Sequence, residues 1–472
     1  MNTPHKQLIN LFRGWPSESL LPTELIEKAC AKVFGNPSTA YPALCYGPDP
    51  GYEPLRRAIA AWLADFYSTS FTRITKDIST SAKISIDSER ICITGGASQN
   101  LACILQVFTD PVFYTRNIWC VSPMYYLAGR VFEDNGFGGR LMAVPEDDEG
   151  IDIPFLEEGL RACKELLDEE SEEEFNRKLK PSRSWSKFYR HIIYAVPTFS
   201  NPSSKTMSLD RRRDLVLLAR RYNALIITDD VYDHLQWFTD PSNPTTVPNL
   251  ALQPRLVDVD RFLLDAGNFG NAVSNGSFSK LVGPGIRTGW VEGTNDFVYA
   301  LSQWYLSIHS VGSMLLITVS SGTSRSGGSA SQAMAVVLTE LVQSGQLQHH
   351  ISTTLQPAYA ERYACMVDQI QAMLVPLGVS LSGPVREIAG GYFIWIELPI
   401  GLNADKLTTR AKEEENLILA PGSYFAVPGV DDYDNRLDRS IRLCLAWEDP
   451  DLLRQGIQRI ASLIRRMLAS RW

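Results

Sequence analysis

Long hydrophobic runs are missing from this sequence. No stretch has the length and flanks of a membrane-spanning helix, so no membrane is expected among its partners. Residues 1–10 are polar and show no secretory signal. Positive charge is not in excess either. The formal net charge is -8, which argues against nonspecific nucleic-acid binding. Cysteine is sparse and scattered. The eight thiols form no C-x-x-C pair and no zinc spacing, so neither a disulfide framework nor a metal centre is expected. They read as mostly reduced core residues of a cytoplasmic protein. No internal repeat stands out. What is present is an ordinary globular composition, 44% hydrophobic and 21% charged, over 472 residues. That length suffices for a large domain with a smaller companion.

The pattern changes along the chain. An extended opening at 9–22 precedes a helix at 23–33, a Pro- and Gly-rich loop at 36–51 and an amphipathic helix at 53–67. Residues 68–88 read as an irregular polar insertion. From Arg90 on, short apolar runs alternate with helical patterns. The runs are 91–94, 118–121, 141–144, 192–196, 225–228 and 262–264; the helices are 97–108, 125–135 and 209–222. This alternation predicts an α/β fold with a mostly parallel sheet covered on both faces. The acidic run 168–174 reads as a solvated insertion and 239–249 as a loop. From about Ser331 the chain predicts a smaller α+β unit. It begins helically and continues with strands at 391–397 and 441–445 and helices at 404–414 and 450–467. The expected division is 1–52, 53–330 and 331–472, the first part packing with the last.

Candidate chemistry gathers after the predicted strands, where such sheets bind ligands. The segment S-F-S-K-L-V-G-P-G-I-R-T-G-W runs from Ser277 to Trp290. It sets the amine of Lys280 beside the hydroxyls of Ser277 and Ser279, with Arg287 seven residues on. An amine that can form a Schiff base and groups that can hold a phosphate suit a cofactor that is both aldehyde and phosphate ester; pyridoxal phosphate is one. Thr94-Gly95-Gly96-Ala97-Ser98 opens a helix after a strand, a phosphate cradle in which Ser98 supplies the side-chain contact. Tyr125 could stack on a planar ring, and Asn201 could donate to a phenolate-type oxygen. Asp229, at a strand end, could pair with a protonated pyridine nitrogen, with Tyr232 three residues on. Arg442 lies within an apolar strand and needs an anionic partner, either a substrate carboxylate or a structural ion pair. Each signal alone is modest, and Asp229 equally suits a helix cap.

Taken in order, these motifs resemble the class I/II aminotransferases of fold type I, over nearly the whole chain. The opening I-N-L-F-R-G-W-P, from Ile9, looks like that of the 2-aminoadipate and kynurenine aminotransferase subgroup, and especially of its fungal members. The resemblance implies pyridoxal 5'-phosphate as cofactor and assigns roles. Lys280 would bond the cofactor and shuttle the α-proton. Asp229 would hold the ring nitrogen, Asn201 and Tyr232 the ring oxygen, and Tyr125 the ring face. Ala97, Ser98, Ser277, Ser279 and Arg287 would bind the phosphate. Tyr46 would reach the phosphate of a neighbouring subunit, implying a homodimer with shared active sites. Arg442 would grip the substrate α-carboxylate, helped by the backbone at Gly14. The sequence also departs from the family. Ala97 stands where a hydroxyl is frequent, N-P-S-S replaces N-P-T-G, and Arg13 and Trp15 replace smaller or neutral residues. If they line the pocket, Trp15 would favour an aromatic side chain and Arg13 an acidic one.

The expected activity is transfer of an amino group from an aromatic or 2-aminoadipate-like amino acid to a 2-oxo acid such as 2-oxoglutarate. The alternative is a β- or γ-eliminating lyase on the same residues, a carbon–sulfur lyase or an aminocyclopropane-carboxylate-synthase-like enzyme. A regulatory, amino-acid-sensing use of the fold is a third reading. It is disfavoured because the resemblance begins at Ile9, with no room ahead of it for a DNA-binding winged helix.

Overall fold

The computed structural model describes residues 6–74, 85–168, 171–240, 250–302, 306–311, 314–319, 329–381, 387–430 and 436–469. Its centre is an eight-stranded sheet. Across the sheet the strands run Ile91–Thr94, Gly289–Glu292, Ala272–Ser277, Ala224–Asp229, His191–Ala195, Asn117–Ser122, Leu141–Asp147 and Gly150–Ile151. The five from Ala272–Ser277 to Leu141–Asp147 pair in parallel. Gly289–Glu292 runs antiparallel between its two neighbours, and Gly150–Ile151 antiparallel to its one. The expected fold class is therefore present. The strands His191–Ala195 and Ala224–Asp229 are buried throughout, as strands covered on both faces must be. The covering helices include Ala97–Phe108, Leu209–Arg221 and Ile153–Asp168.

A four-stranded antiparallel sheet forms the second layer system, in the order Ser380–Leu381, Phe393–Glu397, Ser440–Cys444, Ala420–Pro421. The last helix, Pro450–Ala469, turns Leu453, Ile457, Ile460 and Ile464 inward at helical spacing. The opening of the chain is tied to this region. Ile9–Asn10 pairs in parallel with Leu417–Ile418, and the Leu11 carbonyl accepts from the Cys444 amide at 2.8 Å. Leu11 is fully buried, so the next residues, Phe12 to Trp15, are delivered to a fixed place.

Three sequence expectations need correction. Residues 262–264 are not a strand: Leu256–Phe262 is a helix, opened by the Asp258 carboxylate, which accepts from the Arg255 amide at 3.1 Å and from the Arg255 Nε at 2.9 Å. The strand there is Ala272–Ser277, whose A-V-S-N-G-S is too polar to read as one although all six residues are buried. The loop 36–51 contains a helix, Pro37–Leu44. The Asn36 side chain caps it by accepting from the Ser38 amide, and Pro37 takes the first turn, where no backbone N–H is needed. The polar stretch 68–88 begins as the helix Ser68–Ile74. Residues 75–84, 169–170 and 241–249, where insertions or loops were expected, lie outside the described residues. Among the described residues no helix is long and apolar enough to cross a membrane.

Candidate active site

The register of the large sheet assembles the site. Gly289 lies opposite Thr94 on one side and Ser277 on the other. Because its strand is antiparallel to both, Arg287, two residues before it, meets the carboxyl ends of theirs. Arg287 Nη2 donates to the Gly95 carbonyl at 3.1 Å and Nη1 to the Pro284 carbonyl at 3.1 Å. Gly96 begins the helix Ala97–Phe108 with φ at +106°, and a Cβ there would lie 3.3 Å from Arg287 Nη2. Only glycine adopts that backbone without strain. The neighbouring strand supplies Ser277, whose Oγ accepts from the Ser279 amide at 3.1 Å and lies 2.9 Å from Ser279 Oγ. The helix start at Ala97 and Ser98, two hydroxyls and one guanidinium thus line one cavity, a donor set suited to a phosphate.

Two strands over, Asp229 ends Ala224–Asp229, 8% exposed. Tyr194 donates its hydroxyl to Asp229 Oδ2 at 2.6 Å, and Asn275 Nδ2 donates to Oδ1 at 2.7 Å. Burial pushes the carboxyl up to about 6, against the pull of those two hydrogen bonds. Lys280 Nζ donates to the Gly14 carbonyl at 2.7 Å. Burial lowers its amine to about 8, and the nearby Arg442 charge adds to this. A desolvated amine of that kind carries a sizeable neutral, nucleophilic fraction near neutrality.

Arg442 sits in the middle of the small sheet, paired in register with Trp395 and Ala420, and is 2% exposed. Nη1 donates to Asn201 Oδ1 at 2.8 Å and Nη2 to the Phe12 carbonyl at 2.6 Å. Its guanidinium carbon lies 4.0 Å from the Phe393 ring centroid and 4.7 Å from that of Phe425. Nε is buried without a partner among the described residues, and no carboxylate neutralises the charge there. Among the described residues Arg442 makes no ion pair with a carboxylate. The hydroxyl of Tyr125 is pushed up by burial and by the Asp229 charge.

Of the sequence-predicted residues, Gly14, Trp15, Ala97, Ser98, Tyr125, Asn201, Asp229, Tyr232, Ser277, Ser279, Lys280, Arg287 and Arg442 all line one cavity of about 550 Å³. Arg13 lines it as well, its guanidinium 5.0 Å from the Trp15 ring and 5.2 Å from the Trp447 ring. Tyr46 does not join them. It is fully exposed, beside a separate depression with Gly47, Pro48 and Gln332. The Gly14 carbonyl faces Lys280, whereas Phe12 supplies the carbonyl that meets Arg442. Sequence reasoning missed Tyr194 and Asn275. Both sit inside strands: Tyr194 reads as core in H-I-I-Y-A, and Asn275 lies in a run too polar to read as a strand at all.

The donor set fits pyridoxal phosphate. The cradle at Gly96 suits a phosphate, a buried carboxylate and an amine line the same cavity, and the buried guanidinium of Arg442 meets no anion among the described residues. Comparison with known proteins agrees. Residues 41–460 match the family described as "Aminotransferase class I and II", and the chain belongs to that family. It is a pyridoxal-phosphate-dependent transaminase of fold type I. It is 33% identical to an uncharacterized protein of Saccharomyces cerevisiae, over 95% of each chain. It is 27% identical to aromatic-amino-acid aminotransferase 1 of Thermococcus litoralis, covering 97% of this chain and 88% of that one. The crystal structure of the multiple substrate aminotransferase from Thermococcus profundus superposes with a TM-score of 0.70 at 24% identity, over 98% of this chain and 92% of that one.

Proposed function

We propose that this enzyme takes its amino group from an aromatic or 2-aminoadipate-like amino acid and passes it to a 2-oxo acid such as 2-oxoglutarate. The observation that carries this is the arrangement of Asp229, Lys280 and Arg442 around one cavity whose rim bears Arg13 and Trp15. Bound pyridoxal phosphate supplies an aldehyde and an electron sink. Ala97, Ser98, Ser277, Ser279 and Arg287 hold its phosphate; Asp229 holds its ring nitrogen protonated; Asn201 and Tyr232 meet its ring oxygen; Tyr125 covers its face. Arg442 gives up its contact with Asn201 or Phe12 to grip the substrate α-carboxylate. That grip fixes which bond at the α-carbon faces Lys280, and Lys280 then takes and returns the α-proton. Trp15 offers a flat apolar wall to an aromatic side chain, and Arg13 offers a charge to an acidic one. Relatives named as aromatic-amino-acid and 2-aminoadipate aminotransferases support that range. They do not favour an eliminating lyase.

The working unit is a homodimer in the cytoplasm, with Tyr46 of each subunit completing its neighbour's phosphate site; the full exposure of Tyr46 supports this. Residues 53–330 carry the cofactor, 331–472 form the smaller unit, and 1–52 pack with it, as the pairing of Ile9–Asn10 with Leu417–Ile418 supports. An amino-donor screen with 2-oxoglutarate tests the reading. Tryptophan, phenylalanine, kynurenine, 2-aminoadipate and a cysteine conjugate are offered to the wild type and to Lys280→Ala. Transfer from aromatic or acidic donors, lost in the variant, is expected. Full activity in Lys280→Ala would overturn it.

A further inference from the structure

Asn275 is fully buried in the strand Ala272–Ser277, directly opposite Asp229 in the sheet. Its side-chain amide is spent completely. Nδ2 donates to Asp229 Oδ1 at 2.7 Å and to the Ala97 carbonyl at 3.0 Å. Oδ1 accepts from Asn100 Nδ2 at 2.9 Å. Only one orientation works. Turned over, the amide would set an oxygen against a carboxylate and a carbonyl, both acceptors. A leucine of similar size would bury there with no polar group to satisfy, so the amide is not what core packing alone would select.

Its partners explain the choice. Asp229 lies at the ring end of the cavity. Ala97 is the first residue of the helix that begins the phosphate cradle, and Asn100 belongs to that helix's first turn. One side chain therefore bridges the two ends of the site. We propose that Asn275 is a positioning residue, which holds Asp229 ionised and ties it to the phosphate-binding helix so that both ends of the cofactor meet groups at one fixed spacing. This rests on the reading of the cavity as a pyridoxal-phosphate site.

The charge environment of Asp229 sets what its loss does. Around that carboxyl stand Asp230, which opposes its ionisation, Lys280, which favours it, and the hydroxyls of Tyr125, Tyr194 and Tyr232. Tyr194 is the only other side chain hydrogen-bonded to it among the described residues. Without Asn275, one of its two side-chain hydrogen bonds is gone, and the carboxyl protonates at higher pH.

The test is cofactor affinity rather than turnover. The dissociation constant of pyridoxal phosphate is measured by absorbance for the wild type, Asn275→Leu and Asn275→Asp, from about pH 5 to about pH 9. A charge-assisted hydrogen bond is worth about 1.5–3 kcal/mol, so both variants should bind roughly 10- to 100-fold more weakly. As pH falls, Asn275→Leu should lose the cofactor at a higher pH than the wild type. Asn275→Asp is isosteric and carries the test if the leucine variant does not fold. It sets a second carboxylate against Asp229, and its affinity should worsen as pH rises. Lower thermal stability with affinity and its pH profile unmoved would overturn the proposal and leave Asn275 a packing residue. A wild type that binds no pyridoxal phosphate at all would instead sink the reading of the site.

Discussion

Asp229 keeps a carboxylate in a place that disfavours one. Burial raises it from 3.8 to about 6. In the cofactor-free chain the native form therefore holds a proton between those values that the unfolded form has released, so stability falls as pH rises through that window. Above it the cost is fully present. Asp229→Asn removes the charge and can still accept from Asn275 and meet Tyr194. Cofactor-free Asp229→Asn should melt roughly 2–5 °C above the wild type near pH 8, and the two should melt alike near pH 4. The same variant should lose about 10²–10³-fold in kcat, because a neutral amide cannot hold the ring cation. A lower melting temperature at the higher pH would contradict this account. Residues like Asp229, Lys280 and Arg442 are legible in a sequence because polar groups stand at strand ends or interrupt apolar runs. Tyr194 and Asn275 are not. A tyrosine in H-I-I-Y-A reads as core, and an asparagine in A-V-S-N-G-S hides the strand itself.

At the scale of elements, the site depends on where strands stop and helices start. Gly96 is the sharpest case, since its φ of +106° strains any other residue and a Cβ there would crowd Arg287 Nη2 at 3.3 Å. Gly96→Ala should cost roughly 1–3 kcal/mol of strain at the helix start and weaken pyridoxal phosphate binding about tenfold or more, measured by absorbance titration. Unchanged affinity would mean that the phosphate does not sit there. The apolar strands and the amphipathic helices were readable because their periods are strong. The helix Pro37–Leu44 was not, because Pro37 and Pro42 look like loop residues although one of them serves the helix start. The run 262–264 reads as a strand because Phe262, Leu263 and Leu264 are all apolar, although Phe262 ends the helix Leu256–Phe262 and Leu264 is exposed.

For the whole molecule, the sharing of sites between two subunits has a direct test. Tyr46→Ala and Lys280→Ala are each expected to be impaired as homodimers. Mixed and allowed to exchange subunits, they form heterodimers in which one site has both Lys280 and a neighbour's Tyr46, so activity should return in part. No recovery on mixing, with exchange verified, would place Tyr46 outside the neighbour's site. The strand–helix alternation made the mostly parallel central sheet legible, whereas the approach of residues 12–15 to the cavity depends on a two-residue strand pair that no local pattern announces. The central claim is that the proton leaving at Lys280 leads to amino transfer. It is tested most directly by giving the enzyme an amino donor with no 2-oxo acid and following the bound cofactor. One equivalent of pyridoxamine phosphate should accumulate with no ammonia released; continuous release of ammonia and pyruvate, with the cofactor unchanged, would contradict it.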